Sequence, residues 1–222
     1  MRKIIYYSLL PVVLFFGSLW IISFATHASS KKGYQELTPV IESLSLPGKT
    51  TLAEFFSYGC PACYLIEPML EKWLAQHKEI VFQRVPSIFR SEWVIYSKAY
   101  YVAKHFGISE KITPALFKAV QVDKQDLSTP DRMADFFVKQ GIDKKQFESV
   151  FNFAPQIEGQ VTRADNLFHQ YKIFAIPSFV INGKYLTNAD MTGADNQKLF
   201  AMIEKLTRPP ESTKEVVTSR SL

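Results

Sequence analysis

The chain has 222 residues, 47% of them hydrophobic and 21% charged, close to the roughly 45–50% and about 25% of ordinary globular domains. That mix excludes wholesale disorder and a polytopic membrane protein, and two cysteines exclude a disulfide-stapled framework. The formal charge is +5, but no Lys/Arg run is longer than two, so nothing suggests nucleic-acid binding.

The first 28 residues read as a leader rather than as fold. Arg2 and Lys3 form a basic start, and the 23 residues 4–26 carry no charge. Two cleavage sites fit: Ala28 preceded by Thr26, and Ala25 preceded by Ser23. A cleaved signal needs an apolar core of only about 7–15 residues, whereas about 20 can span a bilayer. A cleaved leader and an uncleaved anchor therefore both stay open. Pro11 and Gly17 exclude neither. Either way residues 29–222 lie on the outer side of the membrane, because the positive end stays in the cytoplasm. Removal of Arg2 and Lys3 lowers the charge to +3. The outer milieu is oxidising, and nearby thiols tend to pair there.

Residues 29–50 are polar with scattered apolar positions, and end in a turn at Pro47 and Gly48. Residues 51–57 are long enough for a buried strand. Tyr58 and Gly59 break it, and a helix over 60–76 follows. Leu65, Met69 and Trp73 make one i,i+4 row of that helix, and Ile66, Leu70 and Leu74 another. Pro68 should kink it. A second strand over 80–85 ends at Pro86.

The middle carries helix signals. An aromatic-rich helix spans 92–106 and stops at Gly107. Ser109 is a candidate cap for the next, with Pro114 starting a turn or a kink. Thr129 and Pro130 make an N-cap and N1 pair for a helix to Gly141. Asp143 and Gln146 form a capping box. A long helix spans 155–171. Strand character returns at 179–181. Asn182-Gly183 is a hairpin signal, with a return strand over 184–187. Asp195 or Asn196 caps a last helix through 205, and the end is a polar tail.

The flanking β pieces need each other to form a sheet. The helical block is therefore an insertion into an α/β domain. The expected division is 1–28 leader or anchor, 29–87 first part of the α/β domain, 88–160 helical insertion, 161–206 second part and 207–222 tail.

Both cysteines fall in Cys60-Pro61-Ala62-Cys63. Spaced two apart on the first turn of a helix, their sulfurs lie within bonding range. Cys60 at the N-cap can accept hydrogen bonds from the free N–H groups of Ala62 or Cys63, and the helix dipole also favours its thiolate. A stabilised thiolate makes the disulfide a better oxidant. Pro61 suits N1, since its missing N–H is not needed there. Cys60 is expected at an exposed tip as the attacked sulfur, with Cys63 facing inward as the resolving one. Two bland readings compete. Half a zinc site would need partners, but there is no further cysteine, and His27, His77, His105 and His169 are scattered. An inert disulfide would close a loop too short to stabilise much.

Four stretches carry a resemblance: E-F-F-S-Y-G-C-P-A-C-Y at 54–64, residues 108–122, F-F-V-K-Q-G-I-D at 136–143 and I-P-S-F-V-I-N-G-K-Y at 176–185. With these the chain resembles the DsbA family of periplasmic thiol–disulfide oxidoreductases. The resemblance implies a thioredoxin-like α/β fold with an inserted helical domain. Pro177 matches the family's proline facing the C-x-x-C, so the Ile176-Pro177 bond is expected cis. Ile176 would then offer its backbone N–H and C=O to an extended substrate beside Cys60. Glu54 matches a buried acid beneath the site, with a raised pKa and a role in shuttling the Cys63 proton; from pattern alone it equally suits a solvent-facing position. Arg84 is its candidate partner. The best-known strong oxidants of the family have histidine between the cysteines. Ala62 stands there here, which removes a charge and a donor next to the sulfur.

Most aromatic residues near the motif read as core. Tyr58 and Phe174 are candidates for an apolar groove. The implied partners are unfolded or reduced exported proteins, and a quinone-linked inner-membrane oxidase that reoxidises the pair. Neither a metal nor an organic cofactor is needed. The alternatives are a periplasmic reductase or isomerase, and a chaperone-like peptide-binding module with a structural disulfide.

Overall fold

The computed structural model describes residues 32–208. The leader and nearly all of the tail lie outside them. Among the described residues no helix is long and apolar enough to cross a membrane.

The sheet has five strands: β1 (Gln35–Glu36), β2 (Thr51–Phe56), β3 (Val81–Pro86), β4 (Ser178–Ile181) and β5 (Tyr185–Asn188). They lie in the order β1-β5-β4-β2-β3. β2 runs parallel to β3 and antiparallel to β4. Flanked on both sides and covered on both faces, β2 is buried at every residue, which explains its nearly continuous apolar run. A parallel neighbour requires a crossover, and α1 (Pro61–Gln76) supplies it.

The hairpin falls where Asn182-Gly183 places it. Both residues have positive φ, 53° and 64°, the signature of a type I′ turn. Gly183 is required there for a second reason. A Cβ on it would lie 2.2 Å from the Ile41 carbonyl oxygen.

The helices between β3 and β4 are α2 (Val94–His105), α3 (Ser109–Phe117), α4 (Pro130–Lys139), α5 (Lys144–Phe153) and α6 (Pro155–Gln170); α7 (Asn196–Thr207) follows β5. Thr129, Asp143 and Asp195 cap α4, α5 and α7 with their side chains. Ser109 is not a cap; it is the first residue of α3, behind Ile108. Pro114 does not end α3, which runs on into a π-helical turn over Lys118–Val122. Pro68 likewise sits inside a continuous α1. β1, pairing with β5, lies in the stretch that reads as polar; two exposed residues on an edge leave no periodic signal.

Three apolar clusters form the interior. Leu52, Phe179 and Ile181 meet α1 and α7 on one face of the sheet. Ala53, Phe55 and Val180 meet Ala164 and Phe168 of α6 on the other. The third joins the helical block to Phe56, Tyr58, Cys60 and Cys63. Helix α6 belongs to two of them, through Ile157 and Val161 at one end and Ala164 and Phe168 at the other. It therefore runs uninterrupted across the expected division at residue 160.

Candidate active site

The site forms where β2 hands the chain to α1. Strand alternation puts Leu52, Glu54 and Phe56 on the face that α1 covers. Ser57, Tyr58 and Gly59 then turn the chain. The Ser57 carbonyl accepts from the Cys60 N–H at 3.0 Å. The Ser57 hydroxyl accepts from the Gly59 N–H at 3.2 Å.

Cys60 is the N-cap of α1 in extended conformation, with Pro61 at N1. Its sulfur accepts from the Cys63 N–H at 3.2 Å. Both cysteines are free thiols. The two are pushed in opposite directions. The Cys63 thiol donating to Cys60 lowers the Cys60 pKa; burial opposes this, and the N–H groups of Cys63 and Ala62 lower it further. Burial raises the Cys63 pKa, helped by its bond to Cys60 and by the charges of Cys60 and Glu54. The Ala62 side chain is exposed, so this residue acts through its backbone alone. One expectation needs correction: Cys60 does not stand on an open tip. It is 5% exposed and Cys63 0%, because the turn before Cys60 lies against Trp93 and the 176–177 loop faces the sulfur.

That loop carries a cis Ile176-Pro177 bond. The Cys60 thiol faces the Ile176 carbonyl at 3.6 Å. The Ser178 hydroxyl donates to the Ala175 carbonyl at 2.7 Å and accepts from the Asn188 amide at 3.1 Å. These bonds tie the loop to β5.

Glu54 is fully buried, not solvent-facing. Neither carboxyl oxygen has a hydrogen-bond partner among the described residues. Arg84 Nη1 is 3.5 Å away, but that guanidinium is committed elsewhere. It donates to both oxygens of Glu67, at 2.9 and 2.8 Å. Burial pushes the Glu54 carboxyl up to about 8; Arg84 pulls it down, and Glu67 and Cys60 push it up. The charge of this carboxyl also acts on Cys63, whose pKa it helps to raise.

Tyr58 does not line a groove. It is 0% exposed, its hydroxyl bonded to that of Thr113 at 3.0 Å and its ring edge-on to Phe56 and Phe117. Phe174, by contrast, is 58% exposed.

Three residues near the site escape the sequence reading. Glu67 had a usable signal: it is a charge within the buried arc of α1. Gln121, on the π-helical turn, donates to the Tyr58 carbonyl at 2.6 Å and so ties the helical block to the active-site turn. Trp93 packs on Gly59. Neither of these two contacts has a local sequence mark.

A Cβ at Gly59 would lie 2.4 Å from Trp93 Nε1 and 2.5 Å from Cε2. Gly59→Ala should destabilise the protein by about 1–3 kcal/mol, read as a lower denaturation midpoint. Gln121→Leu leaves the Tyr58 carbonyl without this donor. It should cost about 1 kcal/mol and change the thiolate absorbance titration of Cys60. An unchanged titration would confine Gln121 to a purely structural role.

A dithiol at a helix N-terminus, a cis-proline loop across from its sulfur and a buried carboxyl below define a thioredoxin-fold thiol–disulfide oxidoreductase. The DSBA-like thioredoxin domain family matches residues 74–203. The thiol:disulfide interchange protein DsbA of Burkholderia cepacia is 42% identical over 148 residues, covering 66% of this chain and 69% of its own. The DsbA of Pseudomonas aeruginosa is 32% identical over 201 residues, covering 90% and 92%. The crystal structure of Pseudomonas aeruginosa DsbA superposes with a TM-score of 0.70 at 31% identity, over 78% of this chain and 88% of that one. That of Xylella fastidiosa DsbA gives 0.72 at 26%, over 79% and 93%. The chain belongs to the DsbA-like family and is a disulfide oxidoreductase.

Proposed function

We propose that the enzyme donates its Cys60–Cys63 disulfide to reduced, unfolded proteins exported to the periplasm. The observation that carries this reading is the opposite treatment of the two sulfurs: hydrogen bonds favour the Cys60 thiolate, and burial disfavours that of Cys63. Stabilising the thiolate stabilises the reduced enzyme, which makes its disulfide a good leaving partner.

In the first step a substrate thiolate attacks Cys60 Sγ. A substrate–Cys60 bond forms and the Cys60–Cys63 bond breaks. The electron pair leaves on Cys63, which takes a proton from Glu54. A second substrate thiolate then attacks the substrate sulfur of the mixed disulfide. The substrate disulfide forms and Cys60 departs as the stabilised thiolate. Two electrons have passed from substrate to enzyme. The Ile176 backbone beside the sulfur supports an extended substrate pairing with the Pro177 loop, and exposed Phe174 supports an apolar contact near it. Pro61 and Ala62, both exposed, form the open side of the motif next to Cys60. Reoxidation falls to a quinone-linked inner-membrane oxidase that accepts the two electrons. The basic start and the uncharged stretch 4–26 support export, either released or anchored.

The test is stoichiometric. Oxidised enzyme mixed without oxygen with a reduced, unfolded dithiol protein should transfer one disulfide per molecule. Failure to oxidise it, together with ready reduction of disulfide-bonded substrates, would favour a reductase.

A further inference from the structure

The active-site helix has a second apolar face, turned away from the core. Cys63, Ile66, Leu70 and Trp73 are its buried side. At about 100° per residue, Pro61, Tyr64, Leu65 and Pro68 fill an opposite arc of roughly 100°. A stripe of that width normally packs on a core. Here Pro61 and Pro68 are exposed, Tyr64 is half-buried and Leu65 is 69% exposed. Leu65, unlike Met69 and Trp73 of its row, thus has no intramolecular core to cover it.

Beside this face lies a cleft of about 340 Å³ between α1 and the end of α3, with Tyr64, Pro68, Pro114, Phe117 and Val122 in its walls. Val122 is 50% exposed. Two of the charges at the rim already have partners, Glu67 with Arg84 and Lys118 with Asp123. Glu71 also lines the cleft and is exposed to solvent, so its apolar wall is the part formed by Tyr64, Pro68, Pro114, Phe117 and Val122. Pro68 has no N–H, so the Tyr64 carbonyl on this side loses its regular helical donor.

We propose that this face is a second subsite for the polypeptide joined to Cys60, and that it takes a large apolar side chain of that polypeptide. The inference rests on the exchange reaction proposed above. The occupant follows from continuity with the attacked sulfur. Cys60 caps the same helix, and Pro68 lies about 12 Å along its axis, a span covered by about four residues of extended chain. Every turnover tethers a substrate at Cys60, which raises the local concentration of its neighbouring side chains to the order of mM. A weak apolar cleft is then enough to hold them. Reduced, unfolded chains still expose the large apolar side chains that will later form their cores, so the substrate class and the surface match.

The test uses dithiol peptides with Leu or Ser four residues outside the cysteine pair, on one side or the other, and the oxidised full-length protein. The Leu peptide should be oxidised about tenfold faster in kcat/KM than the Ser peptide in at least one orientation. That ratio should fall toward one in Leu65→Ser and in Val122→Ser, both at exposed positions where folding is not at stake. Equal rates in both orientations, or a ratio that survives both substitutions, would overturn the subsite. Oxidation of dithiothreitol needs no subsite. If the wild-type protein oxidised neither dithiothreitol nor any peptide, the exchange reading itself would fail.

Discussion

Cys60→Ser should reduce oxidation of a reduced, unfolded substrate to the uncatalysed background. A serine hydroxyl neither forms a disulfide nor ionises near neutral pH, so both the attacked bond and the stabilised leaving group are lost. Cys63→Ser should behave differently. Its Cys60 still attacks a disulfide substrate as a thiolate, and no resolving thiol follows, so the mixed disulfide accumulates on a non-reducing gel. The same asymmetry should appear in the reduced wild-type enzyme. At about pH 6 an alkylating reagent should modify Cys60 well before Cys63, because the thiolate is the nucleophile. Equal labelling would contradict the opposite pKa shifts.

Glu54→Gln carries the second large effect. Glutamine keeps the shape and removes the titrating proton. General acid–base help is worth about 10²–10⁴-fold, so the exchange rate near neutral pH should fall by about 10²-fold, and its pH dependence near pH 8 should flatten. Stability should move the other way. The Glu54 carboxyl rises from 4.5 to about 8 on folding. Between those values the folded protein holds a proton that the unfolded chain has released. The contribution to stability is full below 4.5 and is lost as pH rises through about 8. Glutamine has no such loss. The stability of Glu54→Gln relative to wild type should therefore grow between about pH 5 and pH 8, by on the order of a few kcal/mol. Urea unfolding at the two pH values measures it. A constant difference would mean that Glu54 is ionised in the folded protein, held so by Arg84.

Local chemistry made part of this site legible. Asn182-Gly183 dictates its turn through two positive φ angles. Cys60 followed by Pro61 reads as an N-cap and N1 pair, and so it is. The order of strands and helices already requires the helical block to be inserted. Glu54 shows the limit of pattern. One carboxylate in an apolar strand suits either face, and only the burial of both faces of β2 decides it. Tyr58 and Leu65 fail for the same reason in opposite directions. Whether an apolar side chain is covered depends on what the insertion packs against it. α3 and its π-helical turn bury Tyr58 and leave Leu65 open. The Gln121 and Trp93 contacts are long-range and aperiodic, and a sequence carries no mark of them.

The Cys60–Cys63 pair should be an oxidant held ready by a stabilised thiolate. Equilibrium of the full-length protein with glutathione at defined ratios of thiol to disulfide measures this. The potential should lie above about −200 mV, more oxidising than glutathione pools. A value near about −270 mV, where thioredoxin-type reductants lie, would contradict it.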